Sequence, residues 1–357
     1  MKKIILSAPL IFALLSLNSC KKDNAGGSTT PPVSNIYLSS FTSNGTYSQV
    51  YGDTFIATYF KNNQRQTIDA DTTKENKTTG IYVSGTDTYV SGSEGFGLTN
   101  TAKYWKNNQA YLLGDPMNYS TATAITGSGS DIYIAGSETN SGGISIAKYW
   151  KNGRAVDVSD GTNNAFATGI FLNGNDVYVA GLEEIGPNSS LAVYWKNGLE
   201  NILPASPVAA RAVTTGIAVS GSDVYVSGYS NNVNGNENSK AVYWKNGVMT
   251  ALTDGTLISQ TTGVAINGND VYVSGFTKNG PKTYYAEFWK NTQLNYLSSG
   301  NTLAYANCIA ISGRDIYIGG SEAAVNGRAV AKYWKNGVSV LLSDSAYSNF
   351  GTGIFIK

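Results

Sequence analysis

Four glutamates recur at one position of an internal sequence pattern. Each stands two residues after the Gly that ends a short apolar segment: Glu94, Glu138, Glu183 and Glu322. If they converged, their carboxylates could hold a hard cation or a basic ligand, because such cations take several oxygen ligands. A glycosidase would instead need two opposed carboxylates, one of them with a raised pKa. The third alternative, which we favour, is four solvated loop carboxylates that never meet. We therefore assign no catalytic, metal-binding or cofactor-binding residue.

Two long polar segments carry tyrosines that could contact a ligand. Tyr47 and Tyr51 lie between Thr42 and Thr54, and Tyr229 opens the Asn-rich segment "YSNNVNGNENSK". Loops over a rigid scaffold often carry binding residues, and Tyr supplies both an apolar ring and a hydroxyl. The same composition also suits mobile connections, and the sequence leaves both alternatives open.

The composition excludes several kinds of chemistry. The chain contains no His, which excludes Ser-His-Asp and Cys-His catalysis and every His-ligated metal site. Its formal net charge is +1 and only 14% of its residues are charged, so nothing predicts a nucleic-acid partner. The 40 Gly and 24 Tyr favour turns and strands over helices.

The elements that would position the glutamates are strands of a sevenfold repeat. Segments such as "DVYVSG" and "TGIAV" recur in step with an aromatic residue that precedes Lys-Asn. Each unit of about 45 residues holds four short β-rich segments, which predicts a four-stranded antiparallel meander, a–b–c–d. That period and strand number are typical of a β-propeller blade. The repeated aromatic residues are Phe60, Trp105, Trp150, Trp195, Trp244, Trp289 and Trp334.

The order of the segments predicts how the ring closes. The repeats begin with a strand b at Asn35 and finish with a strand a at Thr352–Lys357. We therefore expect an all-β, seven-bladed propeller over residues 35–357. Its C-terminal strand a would join the N-terminal strands b, c and d in one blade, which leaves no free sheet edge.

Loop lengths distinguish the two faces of this ring. The a–b turns keep a constant length, and the c–d turns contain Lys-Asn-Gly or a close variant, in which Asn-Gly is a strong hairpin signal. The b–c and d–a connections vary in length. We call the face that carries them the loop face. Because repeat scaffolds bind through variable loops over a rigid frame, we place any binding site there, at the mouth of the central channel.

The N-terminus carries the features of a secretory signal. A basic pair precedes an apolar run of 14 residues, Ile4 to Leu17, which is too short to span a bilayer comfortably. The following "LNSC" resembles a bacterial lipobox, and "KKDN" resembles the charged tract of Bacteroidetes surface lipoproteins. The resemblance implies a signal peptide over 1–19, a lipid on Cys20, a flexible tether over 20–34, and an outer-membrane location facing the cell surface or the periplasm.

The stretches "WKNGVMTALTDGT" and "TGIAVSGSDVYVSG" resemble the tandem WKNG-type, or HAF-like, β-propeller repeats of bacterial secreted proteins. The resemblance covers nearly all of residues 35–357. It implies an extracellular location but no defined activity, and it carries over no functional residues.

We therefore predict a monomeric, surface-anchored, non-catalytic binding propeller. Its partners would be the membrane, through the lipid on Cys20, and an unidentified extracellular ligand, either a glycan or a protein. Two alternatives remain open. One is a carbohydrate-active hydrolase or lyase that uses the glutamates of the loop face, and the other is a structural protein of the envelope. We expect no cofactor and no nucleic-acid partner.

Overall fold

Four-stranded antiparallel blades form a ring that its two chain ends close together. The computed structural model describes residues 34–48, 52–71, 73–96, 99–205, 209–232 and 238–357, and the compact unit runs from Asn35 to Lys357. Across these described ranges no helix has the length and hydrophobicity that crossing a membrane requires.

The chain enters the ring with three strands of blade 7: β1 (Ile36–Ser48), β2 (Gly52–Lys61) and β3 (Gln64–Asp69). Blade 1 contains β4 (Glu75–Ser84), β5 (Asp87–Phe96), β6 (Thr99–Lys106) and β7 (Gln109–Leu112). Blade 2 contains β8 (Ser120–Ser128), β9 (Asp131–Thr139), β10 (Ser145–Lys151) and β11 (Arg154–Asp157). Blade 3 contains β12 (Ala165–Asn173), β13 (Asp176–Gly186), β14 (Ser189–Lys196) and β15 (Leu199–Leu203).

The second half of the ring repeats this order. Blade 4 contains β16 (Ala209–Ser220), β17 (Asp223–Asn232), β18 (Ser239–Lys245) and β19 (Val248–Ala251). Blade 5 contains β20 (Ser259–Asn267), β21 (Asp270–Gly280), β22 (Thr283–Lys290) and β23 (Gln293–Tyr296). Blade 6 contains β24 (Ala304–Ser312), β25 (Asp315–Ala323), β26 (Ala329–Lys335) and β27 (Val338–Leu341). The last strand is β28 (Asn349–Ile356).

The ring closes as the order of the repeats predicts. Strand β28 pairs antiparallel with β1, so that Ile36 faces Ile356 and Thr42 faces Asn349, and the sheet order is β28-β1-β2-β3. The seven-bladed, all-β prediction is confirmed. Closure in this way pairs a strand edge that would otherwise be exposed.

The repeated turn residues adopt the backbone conformations that tight hairpins require. In the turn after β18, Asn246 has φ 49° and Gly247 has φ 80°, which is the pattern of a type I′ hairpin. Asn291 and Thr292 follow the same path after β22, with φ 47° and 75°. A β-branched residue with positive φ is strained, so Thr292 occupies a glycine position at a cost.

The backbone of strand a and the tryptophan of strand c together explain the Gly that ends the repeated strand-b motif. All six tryptophans are at most 1% exposed. A β-carbon on Gly228 would overlap the carbonyl oxygen of Val213 and lie 2.7 Å from Cζ3 of Trp244, and blades 1, 2, 3 and 5 show the same two close approaches. In blade 7 the smaller Phe60 stands at the tryptophan position and Ser40 at the glycine position. The Tyr-Trp-Lys-Asn-Gly repeat therefore forms the frame of the blade.

Candidate functional site

Three of the four predicted glutamates form ion pairs inside their own blades. Nζ of Lys148, in β10, lies 2.8 Å from Glu138, in β9. The same arrangement joins Lys103 to Glu94 at 2.6 Å and Lys332 to Glu322 at 2.5 Å. The lysine side chains are only 2–9% exposed. These carboxylates balance buried charge within a blade, and they do not line the central channel.

Glu183 occupies the same position in blade 3 but has no counterion. Its residue is 9% exposed, and Val193 stands where the other three blades have lysine. Burial, together with the nearby carboxylates of Glu200 and Asp160, raises the pKa of Glu183. The structure thus separates one glutamate from the other three.

A fifth carboxylate, Glu287, was absent from the sequence-based set. It lies in β22, is 1% exposed, and accepts a hydrogen bond of 2.5 Å from the Thr277 hydroxyl. Burial raises the pKa of Glu287 to about 7. It stands two residues before Trp289, the position of the paired lysines in blades 1, 2 and 6. Aligning the repeats and comparing the residue two positions before each strand-c aromatic residue would have revealed Glu287.

The structure describes some of the predicted tyrosines but not the predicted lipidation site. Tyr229 lies inside β17 and not in a loop, because that strand continues to Asn232, and burial raises its pKa. The backbone of Tyr47 belongs to β1 and pairs with Asp53, so this segment too is strand at that point. The side chain of Tyr47, the whole of Tyr51 and the predicted lipid anchor Cys20 lie outside the described residues.

The innermost strand of every blade carries a β-bulge at one repeated position. Thr215 is the extra residue in blade 4, where Thr214 faces Gly228 and Gly216 faces Ser227. Bulges re-aim side chains, and these residues line a cavity of about 270 Å³ along the channel. The ring consists of Thr79, Thr123, Thr168, Thr215, Thr262, Asn307 and Thr352.

Three of the ring side chains donate hydrogen bonds to backbone carbonyls of the next blade. The hydroxyl of Thr123 donates to the Ala167 carbonyl at 2.9 Å, and that of Thr262 donates to the Ala306 carbonyl at 2.6 Å. The amide of Asn307 donates to the Gly351 carbonyl at 2.8 Å. Because a hydroxyl has one proton, a threonine that donates to a carbonyl has only lone pairs left for the channel.

A second cavity of about 430 Å³ lies above this ring, toward the loop face, and we call it the mouth cavity. It shares Thr79, Thr123, Asn307 and Thr352 with the channel. Its remaining lining residues are Phe41, Lys77, Thr78, Ser93, Thr121 and Ala122. Lys77 is the one charged side chain among the described residues that line either cavity.

Aromatic side chains surround Phe41 at this mouth. The rings of Phe41 and Phe350 stack at 5.1 Å, and Phe55 meets Phe41 edge-on at 5.2 Å. Phe276, in blade 5, occupies the same repeat position as Phe41. Its ring packs 5.0 Å from that of Tyr305, in strand a of the adjoining blade 6. These residues are half-buried. Nζ of Lys77 lies 5.1 Å from the centre of the Phe55 ring. The charged side chain therefore packs against the aromatic group around Phe41 and does not lie apart from it.

Comparison with solved structures supports the fold. The β-propeller domain of the Trilobed protease from Pyrococcus furiosus is similar, with a TM-score of 0.50 and 10% identity over 87% of this chain and 95% of that chain. That domain has an open velcro topology, whereas β28 closes the ring here. A puromycin-hydrolyzing peptidase from Mycobacterium tuberculosis has a TM-score of 0.56 and 10% identity over 86% of this chain and 54% of that chain.

The match to the mycobacterial peptidase spans about half of that enzyme's length. At 10% identity, both similarities show the propeller fold alone. No protein-family model matches the chain, and no curated protein has a significantly similar sequence.

Proposed function

We propose that this protein is a non-catalytic binding propeller that holds a neutral, hydroxyl-rich ligand, a glycan, at the channel mouth. The observation that carries this proposal is the composition of the mouth cavity. It combines the ring of Phe41 with six hydroxyl side chains, the amide of Asn307 and the ammonium group of Lys77, whose charge is paired with Glu75 at 2.6 Å. Its volume of about 430 Å³ is within the range of small-molecule sites, roughly 300–1,000 Å³.

The chemistry of a sugar matches this lining. A pyranose ring has an apolar C–H face that can lie on an aromatic ring, while its edge carries hydroxyl groups. The lone pairs of Thr123 can accept hydrogen bonds from such hydroxyls at the mouth cavity, because the proton of this threonine is donated to the Ala167 carbonyl of the next blade. Several weak polar contacts around an apolar wall are typical of ligand pockets.

The charges around the channel favour binding over catalysis. No Asp or Glu occurs among the described residues that line the channel or the mouth cavity. Glycoside hydrolysis needs two carboxylates that flank the scissile bond. Glu94, Glu138 and Glu322 are held by lysines of their own blades, which supports a structural role for them.

The location of the protein belongs to the same proposal. A lipid on Cys20 and the Gly/Ser/Thr/Pro-rich tether that follows would hold the propeller at the outer membrane. Mass spectrometry of the protein purified from membranes would test the lipid, since acylation changes the mass of the N-terminal peptide. An unmodified Cys20 in the mature protein would contradict this part of the proposal.

A glycan array tests the binding proposal. The purified protein should bind a subset of neutral glycans, and the soluble form of the same sugar should compete. Asn307→Thr should weaken this binding while the ring keeps its fold, because threonine occupies the other six ring positions. A folded protein that binds no glycan would contradict the proposal.

A further inference from the structure

A comparison of one contact across the blades shows an incomplete pair in blade 3. Glu183 in strand b lies diagonally across from Val193, the strand-c residue two positions before the aromatic residue; Glu183 faces Leu191, and Val193 faces Gly181. Blades 1, 2 and 6 fill these positions with a Glu–Lys ion pair, and blade 5 fills them with the bonded pair Thr277 and Glu287. Blade 7 has two threonines, Thr42 and Thr58, whose hydroxyls lie 3.4 Å apart. Blade 4 has Ser230 and Val242, which include no ionisable group.

The Glu183 side chain has neither a hydrogen bond nor an ion pair within the described part of the chain. Glu183 is nevertheless more than nine-tenths buried, between Ala165 and Leu191 in the sheet. Within the described part of the chain neither oxygen of this carboxylate is fully buried, so the group keeps contact with solvent. A partly desolvated carboxylate without a counterion favours a cation. Asp160 and Glu200 add negative potential at the same place. The surroundings of Glu183 therefore resemble those of the paired glutamates in blades 1, 2 and 6, except that the lysine is absent.

We propose that this position, between blades 2 and 3, binds a primary alkylammonium group, namely a lysine side chain of a partner protein. The lysines of three other blades show the geometry that such a group would adopt. Val193 is itself buried in an apolar cluster with Ala147 and Val158 of blade 2, and it fills the space that the lysine stem occupies in the other blades. An incoming lysine would therefore bring its ammonium group to the carboxylate from the solvent side.

The position borders solvent, so a lysine from outside can reach it. In blade 2 the equivalent ammonium group of Lys148 also contacts Asp157, whose side chain is 60% exposed. A metal ion is a weaker candidate, because no cluster of three or more Asp, Glu or Cys side chains suited to a metal ion occurs among the described residues. The inference does not depend on the glycan proposal, because Glu183 does not line the mouth cavity.

The test measures binding of small ammonium compounds to the purified full-length protein and its variants by NMR titration at constant pH and ionic strength. The probes are n-butylammonium and Nα-acetyl-lysine amide, with glucosamine and tetramethylammonium for comparison. Glu183→Gln removes the carboxylate, and Val193→Lys supplies an internal lysine. Glu184→Gln is the matched control, because it removes the same charge from the adjacent, exposed residue.

Both lysine-like probes should bind the wild type and Glu184→Gln equally. Binding to Glu183→Gln should weaken at least about tenfold, because removing one member of a buried charge pair is costly. Val193→Lys should block the site. Equal binding to the wild type and Glu183→Gln would overturn the proposal, even if Val193→Lys fails to fold. Binding of glucosamine alone would overturn the lysine as occupant, and equal binding of tetramethylammonium would show nonspecific charge attraction and overturn the site.

Discussion

Replacement of Glu287 by Gln should stabilise the propeller at neutral and alkaline pH and leave it nearly unchanged in acid. Glu287 is 1% exposed, and it forms no ion pair within the described ranges of the chain. Burial raises its pKa from the ordinary 4.5 to about 7. The folded state therefore binds this proton more tightly than the unfolded state does. The resulting contribution to the free energy of unfolding is fully present below pH 4.5. This contribution is lost as the pH rises from 4.5 to 7 and then stays constant.

The size of this effect follows from the difference between the two pKa values. Each pKa unit corresponds to about 1.4 kcal/mol. Above pH 7 the ionised Glu287 should therefore lower the free energy of unfolding by about 3 kcal/mol, as an upper value, relative to its protonated form. Glu287→Gln has no ionisable group at this position. Its free energy of unfolding should therefore exceed that of the wild type at neutral and alkaline pH but not in acid.

Urea unfolding at a series of pH values from 4 to 9 measures the difference between the wild type and Glu287→Gln. Glu94→Gln is a matched control for which the change in stability with pH should have the opposite sign. Although burial raises the pKa of Glu94, its bonds to Lys103 and Lys74 outweigh burial and lower that pKa. The stability that Glu94 contributes is therefore present above the unfolded pKa and lost in acid. Parallel pH profiles for the wild type and Glu287→Gln would refute the assignment of an unpaired buried carboxyl group.

Three further predictions concern the frame of the blades. Gly228→Ala should cost about 3 kcal/mol or more, because its β-carbon would overlap the backbone carbonyl oxygen of Val213 and lie 2.7 Å from Trp244. Combined with Trp244→Phe it should cost less than the sum of the two changes, which a double-mutant cycle in urea measures. Thr292→Gly should raise the free energy of unfolding by about 1 kcal/mol by relieving the positive φ of 75°; an unchanged midpoint in urea would contradict this. Cys308 borders the channel, yet burial raises the pKa of its thiol to about 12. Iodoacetamide at pH 8 should therefore label it slowly in the native protein and quickly in urea, and fast native labelling would show an accessible thiolate.

The architecture could be predicted from the sequence because each blade repeats the same local signals. The spacing of Trp244 and its equivalents, together with hairpin turns such as Asn246-Gly247, determines four strands and their order. The split repeat predicts the pairing of β28 with β1, which the structure shows. These features depend on local turn chemistry and on one recurring packing contact, so they are visible along the chain.

The candidate site could not be predicted in the same way. Every blade carries the bulge, so the extra residue Thr215 leaves the repeat length unchanged and counting residues does not reveal it. The partner of Glu138 is Lys148, which comes from the next strand and differs between blades, so strand b alone did not show the ion pair. Phe41 and Thr121 are distant in sequence, and only closure of the ring brings both to the mouth cavity. Contacts between strands and between blades therefore determine the site.

The most direct test of a glycan site at the channel mouth compares two aromatic variants by calorimetric titration with the best ligand from the array. Phe41→Ala changes the mouth cavity, whereas Tyr111→Ala changes a stacked, 37% exposed ring on the outermost strand of blade 1. If the ligand lies at the mouth, Phe41→Ala weakens binding about tenfold, through loss of an aromatic contact, and Tyr111→Ala leaves it unchanged. Unchanged binding by a folded Phe41→Ala variant would contradict the account.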